Sequence, residues 1–229
     1  MMMKDGWIGV DFDGTLALYD ERRGIEVMGA ACLPMVRRIH HWLEQGIEIR
    51  IMTARAGDPA LSRFLQPWLR EHNLPALAIT QSKDPALLQC WDDRAVQVEH
   101  NTGAVLTPKA YVPLVPSGWI GVELDGTLSQ AAAAQPASVI GEPVPLMLQR
   151  VRQWLMVGMD VRLFTGRAAD PAQLPLIAQW QEQHGLSLPV TGQKDFQMSV
   201  FYDSRAVHVI HNTGEPSVEP EPLPALRLA

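Results

Sequence analysis

The chain has 229 residues, of which 47% are hydrophobic and 19% charged, and its formal net charge is −6. This composition is ordinary for a globular protein, and the acidic balance argues against passive binding to nucleic acid, which needs a basic surface. Because no stretch approaches the roughly 18–20 apolar residues that cross a bilayer, and the two cysteines fit neither a disulfide framework nor a zinc site, we expect a cytoplasmic protein with no membrane partner.

Strands and helices alternate from the start of the chain. Residues 7–12 form a short apolar run that predicts a buried strand, and residues 47–52 predict a second one. Between them lies a predicted helix that ends near Gly46, a typical C-cap residue. Its apolar face follows helical spacing at Leu33, Val36, Ile39 and Leu43.

A second helix is predicted to begin with Asp58 as its N-cap and Pro59 in its first turn. Pro67 should kink or interrupt this helix, and Asn73 suits a left-handed C-cap, as does its counterpart Gly185. Further short strands are predicted at residues 77–80, 89–91 and 96–99. Such alternation predicts a mainly parallel sheet with helices on both faces.

The same unit occurs twice in the chain. Residues 6–16, GWIGVDFDGTL, return at residues 118–128 as GWIGVELDGTL. Three more blocks recur in the same order: 52–60 as 164–172, 82–84 as 193–195, and 92–103 as 203–214. We interpret this pattern as a tandem duplication of one small domain.

The repeats define a domain prediction. We expect one domain at residues 1–105, a proline-containing linker at 106–117, a second domain at 118–214 and a Pro/Glu-rich, disordered tail at 215–229. The predicted fold class is α/β, with two tandem three-layer α/β/α Rossmann-like domains and mainly parallel sheets.

Polar side chains follow the predicted strand ends of the first repeat: Asp11, Asp13, Thr53, Lys83, Asp92 and Asp93. In parallel α/β sheets, ligands bind beyond the carboxyl ends of the strands. Crowded carboxylates repel each other unless a cation neutralises them, and their oxygens favour Mg²⁺. A lysine and a hydroxyl suit phosphate oxygens, while a carboxylate can attack phosphorus and a second one can transfer protons. The pattern therefore points to phosphoryl chemistry.

Each of these features also has a plain structural interpretation. Taken alone, the first two acids could form a turn before Gly14, Thr53 could cap the following turn, and Lys83 could be a surface lysine. Residues 92–93 could be an ordinary loop. Their order on consecutive strands favours a common site.

Other recurring residues are open to two interpretations. Arg55 and Arg94 could touch a substrate, but their recurrence as Arg167 and Arg205 favours structural salt bridges. The HNTG segment at 100–103 is predicted to form a turn that closes the sheet, with a catalytic His100 as the less favoured alternative. Residues 19–23 are either an exposed charged loop or a substrate-selecting flap, and Trp residues such as Trp42 and Trp68 suit a core or the interface between the repeats.

These motifs resemble those of the haloacid dehalogenase (HAD) superfamily of phosphohydrolases, and the resemblance covers residues 7–103. DFDGTL looks like the first motif, Thr53 the second, Lys83 the third and the acid pair at 92–93 the fourth. The resemblance implies a catalytic set in which Asp11 is the nucleophile, Asp13 the general acid/base, and Thr53 and Lys83 the phosphoryl-binding groups. It implies that Mg²⁺ is held by Asp11, the backbone carbonyl of Asp13, and Asp92, with Asp93 as a direct or water-mediated ligand.

The second repeat departs from this pattern at two positions. Glu123 replaces the nucleophile and Ser204 replaces the second acid of the fourth motif. One extra methylene moves the attacking oxygen by roughly an ångström, which spoils an in-line geometry. The other motif residues persist as Asp125, Thr165, Lys194 and Asp203. We expect catalysis in the first repeat and a degenerate, structural second repeat.

The resemblance implies a Mg²⁺-dependent phosphomonoesterase. No insertion of domain size is present for a cap, so the second repeat could pack on the first as a pseudo-dimer and serve as its lid. Residues 92–94, DDR, look like the fourth motif in the phosphatase half of phage-type polynucleotide kinase–phosphatases. This resemblance favours a nucleotide or a nucleic-acid end as the substrate, and another small phosphate ester is almost equally favoured. The alternatives are a non-catalytic binding protein and phosphotransfer to an acceptor other than water.

Overall fold

The computed structural model describes residues 6–112, 117–132 and 135–220. These residues form two compact units. The first comprises the described residues of Met1–Gln81, Ala86–Asp93 and Val207–Ala229, and the second those of Ser82–Pro85 and Arg94–Ala206. None of the helices in these ranges has the length and the apolar character required to span a membrane.

The strands and helices of the described residues confirm an α/β fold with two five-stranded sheets. In chain order they are β1 (Trp7–Val10), α1 (Leu33–Glu44), β2 (Glu48–Met52), α2 (Pro59–Ser62), α3 (Leu65–Glu71), β3 (Ala78–Thr80), β4 (Leu87–Asp92), β5 (Ala95–Gln97), β6 (Trp119–Val122), α4 (Pro145–Met156), β7 (Asp160–Phe164), α5 (Leu174–Gln183), β8 (Val190–Thr191), β9 (Met198–Asp203) and β10 (Ala206–His208).

The sheet of the first unit has the strand order β10-β4-β1-β2-β3. β1 pairs in parallel with both β2 and β4, and β2 pairs in parallel with β3. Every residue of β1 is buried, because strands at the centre of such a sheet are covered on both faces. The core includes Trp42 and Trp68, so the core interpretation of these two tryptophans is confirmed.

The second unit repeats this arrangement with the order β5-β9-β6-β7-β8. β6 pairs in parallel with β7 and β9, β7 with β8, and β5 with β9. Its core is built from the same kinds of residues, including the buried strand residues Ile120 and Val122 and the helix residues Met147 and Val151.

The two units follow the two repeats for most of their length but exchange short segments. β5 comes from the first repeat and lies in the sheet of the second unit, whereas β10 comes from the second repeat and lies in the sheet of the first. Only Asp93 and Arg94 separate β4 from β5. Because a parallel connection within one sheet needs a dozen or more residues, β5 cannot return to its own sheet as a parallel strand. The domain boundaries at 105 and 118, drawn from the repeats, stay a prediction.

The predicted helix ends agree with the structure, whereas the prediction for Pro67 does not. Asp58 caps α2 by accepting a hydrogen bond from the Ala60 N–H at 2.8 Å. Asn73 has a φ of 60° and Gly185 a φ of 66°, as a left-handed helix end requires. The helix break precedes Pro67 and does not fall on it, since α2 ends and α3 begins before that residue. Pro67 lies in the first turn of α3, where a missing N–H leaves no helical bond unmade.

The predicted linker and tail are described only in part. In the linker, Lys109–Tyr111 form one turn of 3₁₀-helix, and residues 113–116 lie outside the described residues. At the start of the tail, the Ile210 N–H donates to the Glu215 carbonyl at 2.8 Å and the Ser217 N–H donates to the His208 carbonyl at 2.9 Å. Residues 221–229 of the predicted tail also lie outside the described residues.

Candidate metal centre

Three carboxylates meet at the carboxyl edge of the first unit's sheet. Asp11 follows β1, Asp92 ends β4, and Asp93 comes next in the chain. Because β1 and β4 are parallel neighbours, their carboxyl ends lie side by side. One oxygen from each carboxylate lies within 4.8 Å of the others. Asp11 and Asp92 are 3% and 0% exposed, so this cluster is built inside the protein and not on its surface.

The Asp93 carboxylate is held at one oxygen and left open at the other. Its Oδ2 lies 2.5 Å from His211 Nδ1, and its backbone N–H donates to Thr15 Oγ1 at 3.0 Å. Its Oδ1 is buried and has no hydrogen-bond partner among the described residues. A buried carboxylate oxygen without a donor is unfavourable unless a cation satisfies it. The all-oxygen donor set therefore fits a hard divalent cation such as Mg²⁺.

The side chain of Asp13 is held by a salt bridge. Arg55 Nε donates to Asp13 Oδ2 and Arg55 Nη2 donates to Asp13 Oδ1, both at 2.7 Å. The Arg55 side chain is 0% exposed, and it also donates to the carbonyls of Ile25 and Val27. The salt-bridge interpretation of Arg55 is confirmed. This clamp joins the first motif to residues 25–27, which belong to the segment between the first strand and the first helix.

Thr53 follows β2, the other parallel neighbour of β1, and is 1% exposed. Its Oγ1 accepts from the Arg55 N–H at 3.3 Å, so it caps the 3₁₀-turn at Ala54–Gly57. The capping interpretation is thus correct. Since Oγ1 acts as an acceptor in this bond, its own O–H group remains able to donate to a phosphoryl oxygen. The phosphoryl-binding role stays a prediction.

Lys83 lies in the second unit and therefore not in the unit that contains Asp11. Its Nζ donates to Glu123 Oε2 at 2.6 Å and to Asp203 Oδ2 at 2.8 Å, and it lies 4.1 Å from the centre of the Phe164 ring. Burial lowers the pKa of Lys83, but the attraction of Asp203 and Glu123 outweighs burial and raises it. Lys83 is therefore a buried cation paired with the second repeat's acids, and its predicted role as a phosphoryl ligand of the first repeat stays a prediction.

In the second unit, Glu123 and Asp203 form ion pairs with lysine and arginine side chains. Glu123 Oε2 also accepts from Arg205 Nη2 at 2.9 Å, and the Thr165 side chain hydrogen-bonds Glu123. Burial raises the pKa of Glu123, yet Lys83 and Arg205 together lower it to about 2. Asp203 Oδ1 accepts from the Arg205 N–H at 2.7 Å. This network satisfies the acids without a metal.

Part of the first repeat's geometry persists in the second unit. Arg167 clamps Asp125 as Arg55 clamps Asp13, with both bonds between 2.7 and 2.8 Å. Ser204, however, offers no carboxylate where the first repeat has Asp93. Within the described ranges, a cluster of three potential metal ligands occurs only at Asp11, Asp92 and Asp93.

The two HNTG segments are turns, as predicted, but each lies in the unit of the other repeat. Asn101 and Asn212 have left-handed φ values of 63° and 64°. His100 belongs to the second unit, where its Nδ1 lies 3.3 Å from Ser204 Oγ. His211 belongs to the first unit and contacts Asp93. His211 was missed from the sequence, and the recurrence of HNTG after the fourth motif was the available signal.

The remaining ambiguous residues have structural or exposed positions. Arg94 Nη1 donates to the Met198 carbonyl at 2.9 Å within the second unit. Within the loop at 19–23, Glu21–Arg23 form an exposed 3₁₀-turn capped by Asp20. Arg22 pairs with Asp20 there, with an 86% exposed side chain, so screening by solvent makes this pair weak.

The fold and the site together define an α/β protein of two related units, one with a buried carboxylate cluster and one with its acids paired to lysine and arginine. Comparisons with family models, with curated proteins and with solved structures gave no match to this chain.

Proposed function

We propose that the chain is a Mg²⁺-dependent phosphomonoesterase of the HAD type, with two Rossmann-like domains and a reactive centre in the first unit. The observations that carry the proposal are the convergence of the Asp11, Asp92 and Asp93 carboxylates and the buried, unpartnered Oδ1 of Asp93. Three carboxylates at this spacing repel each other strongly, and a divalent cation is the simplest way to offset that repulsion.

The cluster fits a magnesium ion by its chemistry and its burial. Asp11, Asp92 and Asp93 supply the carboxylate oxygens, and the resemblance adds the backbone carbonyl of Asp13. When bound, Mg²⁺ would neutralise charge on the phosphoryl oxygens and orient the phosphoryl group toward Asp11. The paired acids of the second unit have no comparable opening, because Lys83 and Arg205 already satisfy them.

The proposed reaction has two steps through an aspartyl-phosphate. A carboxylate oxygen of Asp11 attacks phosphorus and the bond between phosphorus and the leaving oxygen breaks. The leaving oxygen keeps the electron pair of that bond and receives a proton from Asp13. A water molecule then attacks phosphorus, its proton passes to Asp13, and the bond to Asp11 breaks to release phosphate. Arg55 fixes the position of Asp13, and the Thr53 hydroxyl is available to bind the transferring group. The role of Lys83 in this reaction stays a prediction.

The substrate class that we propose is a nucleotide or a nucleic-acid end, with another small phosphate ester as the alternative. The net charge of −6 makes a long polymer the weaker choice, because duplex binding rests on neutralising phosphates with lysine and arginine. A free nucleotide needs only a local phosphate site. Phosphate release from substrates of each class separates these possibilities.

The test is release of inorganic phosphate from an aryl phosphate, a set of nucleoside monophosphates and a 5′-phosphorylated oligonucleotide, with Mg²⁺ or with a chelator. We expect release only with Mg²⁺, and a loss of about 10³-fold or more in Asp11→Asn. Glu123→Gln is the matched control, with a change of a few-fold at most. Release that is independent of metal, or that survives in Asp11→Asn, would contradict the proposal.

A non-catalytic metal-binding protein is the second candidate, and one observation favours it. Both oxygens of Asp13 accept hydrogen bonds from Arg55, so delivery of a proton requires one of these bonds to open. In this case Mg²⁺ would bind to the carboxylate cluster, and no member of the panel would release phosphate. Phosphate transfer to an acceptor other than water would instead give a phosphorylated product without free phosphate.

A further inference from the structure

His211 comes from the second repeat, yet it lies in the first unit beside the carboxylate cluster. Its own repeat has lost the acid at the corresponding position, Ser204. The place of His211 in the first unit indicates a role for the HNTG segment of the second repeat, although that repeat has a serine in place of the acid. That segment is built into the first unit through β10 and the residues that follow it.

Backbone and side-chain bonds fix the place of His211 in the first unit. The Asn212 N–H donates to the Gly14 carbonyl at 2.7 Å, which ties the segment to the turn after Asp11. The Asn212 side chain accepts from the Tyr19 N–H at 2.6 Å and donates to the Tyr19 carbonyl at 2.9 Å. The histidine therefore stands on a turn that three bonds of Asn212 anchor, and its half-exposed imidazole contacts Asp93 from there.

The contact with Asp93 has a definite direction. An ionised carboxylate only accepts hydrogen bonds, so His211 Nδ1 is the donor to Asp93 Oδ2. With the Asp93 N–H bound to Thr15, the residue is held at its backbone and at one side-chain oxygen. The Asp93 side chain is only 10% exposed, and its other oxygen, Oδ1, is the unpartnered one. The histidine thus selects which oxygen is left for a ligand.

We propose that His211 is a positioning residue of the metal centre, which holds Asp93 Oδ2 so that Oδ1 is presented as a ligand atom for a divalent cation. The inference rests on the proposed function, because it needs the carboxylate cluster to bind Mg²⁺. Hydrogen-bonded partners of metal ligands of this kind typically contribute 10–100-fold in metal affinity. The second repeat, although it lacks its own ligand set, thereby completes the site of the first.

The test is calorimetric titration of the full chain with Mg²⁺, together with the Mg²⁺ dependence of phosphate release. We expect His211→Ala to raise the Kd for Mg²⁺ by about 10–100-fold and to regain most of its kcat at saturating Mg²⁺. His211→Asn keeps an amide donor near the place of Nδ1 and should stay within a few-fold of wild type. His100→Ala is the matched control, because His100 faces Ser204 and should leave Mg²⁺ affinity unchanged.

The outcomes separate the inference from the proposed function. If wild type binds Mg²⁺ and releases phosphate, and His211→Ala binds Mg²⁺ equally well, the inference alone is overturned. If wild type binds no Mg²⁺, both fail. If wild type binds Mg²⁺ without releasing phosphate, the proposed function fails, and the affinities of the variants still decide the inference. If His211→Ala does not fold, His211→Gln replaces it, since its amide reaches the place of Nε2 and leaves Asp93 Oδ2 without its donor.

Discussion

Lys83 Nζ lies 2.6 Å from Glu123 Oε2, and both side chains are at most 1% exposed. Glu123 is the repeat counterpart of Asp11, so a lysine ammonium pairs with the residue that corresponds to the proposed nucleophile. The same ammonium binds Asp203, the counterpart of Asp92. The second unit thus neutralises its acids with protein cations, whereas we propose a metal ion for the first.

Replacing Lys83 by methionine should destabilise the chain. Glu123 and Asp203 would remain buried and would keep their ion pairs with Arg205, and breaking a buried pair typically costs about 3–5 kcal/mol. Urea denaturation of Lys83→Met measures this loss, and Lys109→Met, at an exposed lysine, is the control. Phosphate release by the folded variant should stay within a few-fold of wild type. A thousandfold loss would instead support the phosphoryl-binding role that the HAD resemblance gives to Lys83.

Lowering the pH should destabilise the second unit, because Glu123 becomes protonated. Its folded-state pKa of about 2 lies below the ordinary value of 4.5, so its contribution to stability is complete above pH 4.5 and is lost as the pH falls toward 2. The free energy of unfolding should therefore decline across this window, and the decline should be shallower in Glu123→Gln. Glu182→Gln, at an exposed position of α5, should keep the wild-type slope. If the free energy of unfolding falls equally steeply with pH in all three proteins, the decline does not come from Glu123.

Gly14 should not tolerate a side chain. It has a φ of 78°, and a Cβ atom there would lie 2.6 Å from His211 Nδ1 and closer still to Asp93 Oδ2. Gly158 has a φ of 79° but nothing within 4 Å of such an atom. Gly158→Ala should therefore cost about 1 kcal/mol from backbone strain alone, and Gly14→Ala about 3 kcal/mol, with weaker Mg²⁺ binding. Thermal denaturation of the pair checks this, and equal losses would show that the contacts do not matter.

Arg55 should contribute more to stability than Arg167, although both clamp an aspartate with two bonds. The side chains of Arg55 and Asp13 are 0% and 14% exposed, against 11% and 28% for Arg167 and Asp125. We expect Arg55→Met to cost about 3–5 kcal/mol and Arg167→Met less, because solvent screens the second pair. Chemical denaturation of the two variants gives the comparison. A larger loss in Arg167→Met would contradict it.

Local sequence patterns predicted the elements well. Burial on both faces gives strands such as β1 a continuous apolar run, and the side chain of Asp58 and the left-handed Asn73 mark helix ends directly. The positions of Asp11 and Asp92 at strand ends followed from the same reasoning, because neighbouring parallel strands end at one edge. Each of these strand and helix ends depends on residues close together in the chain.

The exchange between the repeats could not be read from local patterns. Two repeats with the same pattern of strands offer β5 and β10 equivalent sheets, so periodicity alone does not say which sheet each strand joins. The place of His211 depends on that choice, because it follows β10, and this is why His211 was missed. Lys83 lies in the segment Ser82–Pro85 between β3 and β4, which belongs to the second unit although both strands belong to the first sheet, so it was expected beside Asp11. The short connection from β4 to β5 was the physical clue, since it leaves no room for a parallel crossover.

The central claim is that the first unit binds a divalent cation through its carboxylate cluster and the second unit does not. The most direct test is the stoichiometry of Mn²⁺ binding, measured by electron paramagnetic resonance on the full chain, with Mg²⁺ as competitor. We predict one ion per chain, lost in Asp92→Asn and kept in Asp203→Asn, its counterpart in the second unit. Two ions per chain, no ion in wild type, or an ion that survives in Asp92→Asn and is lost in Asp203→Asn would contradict the account.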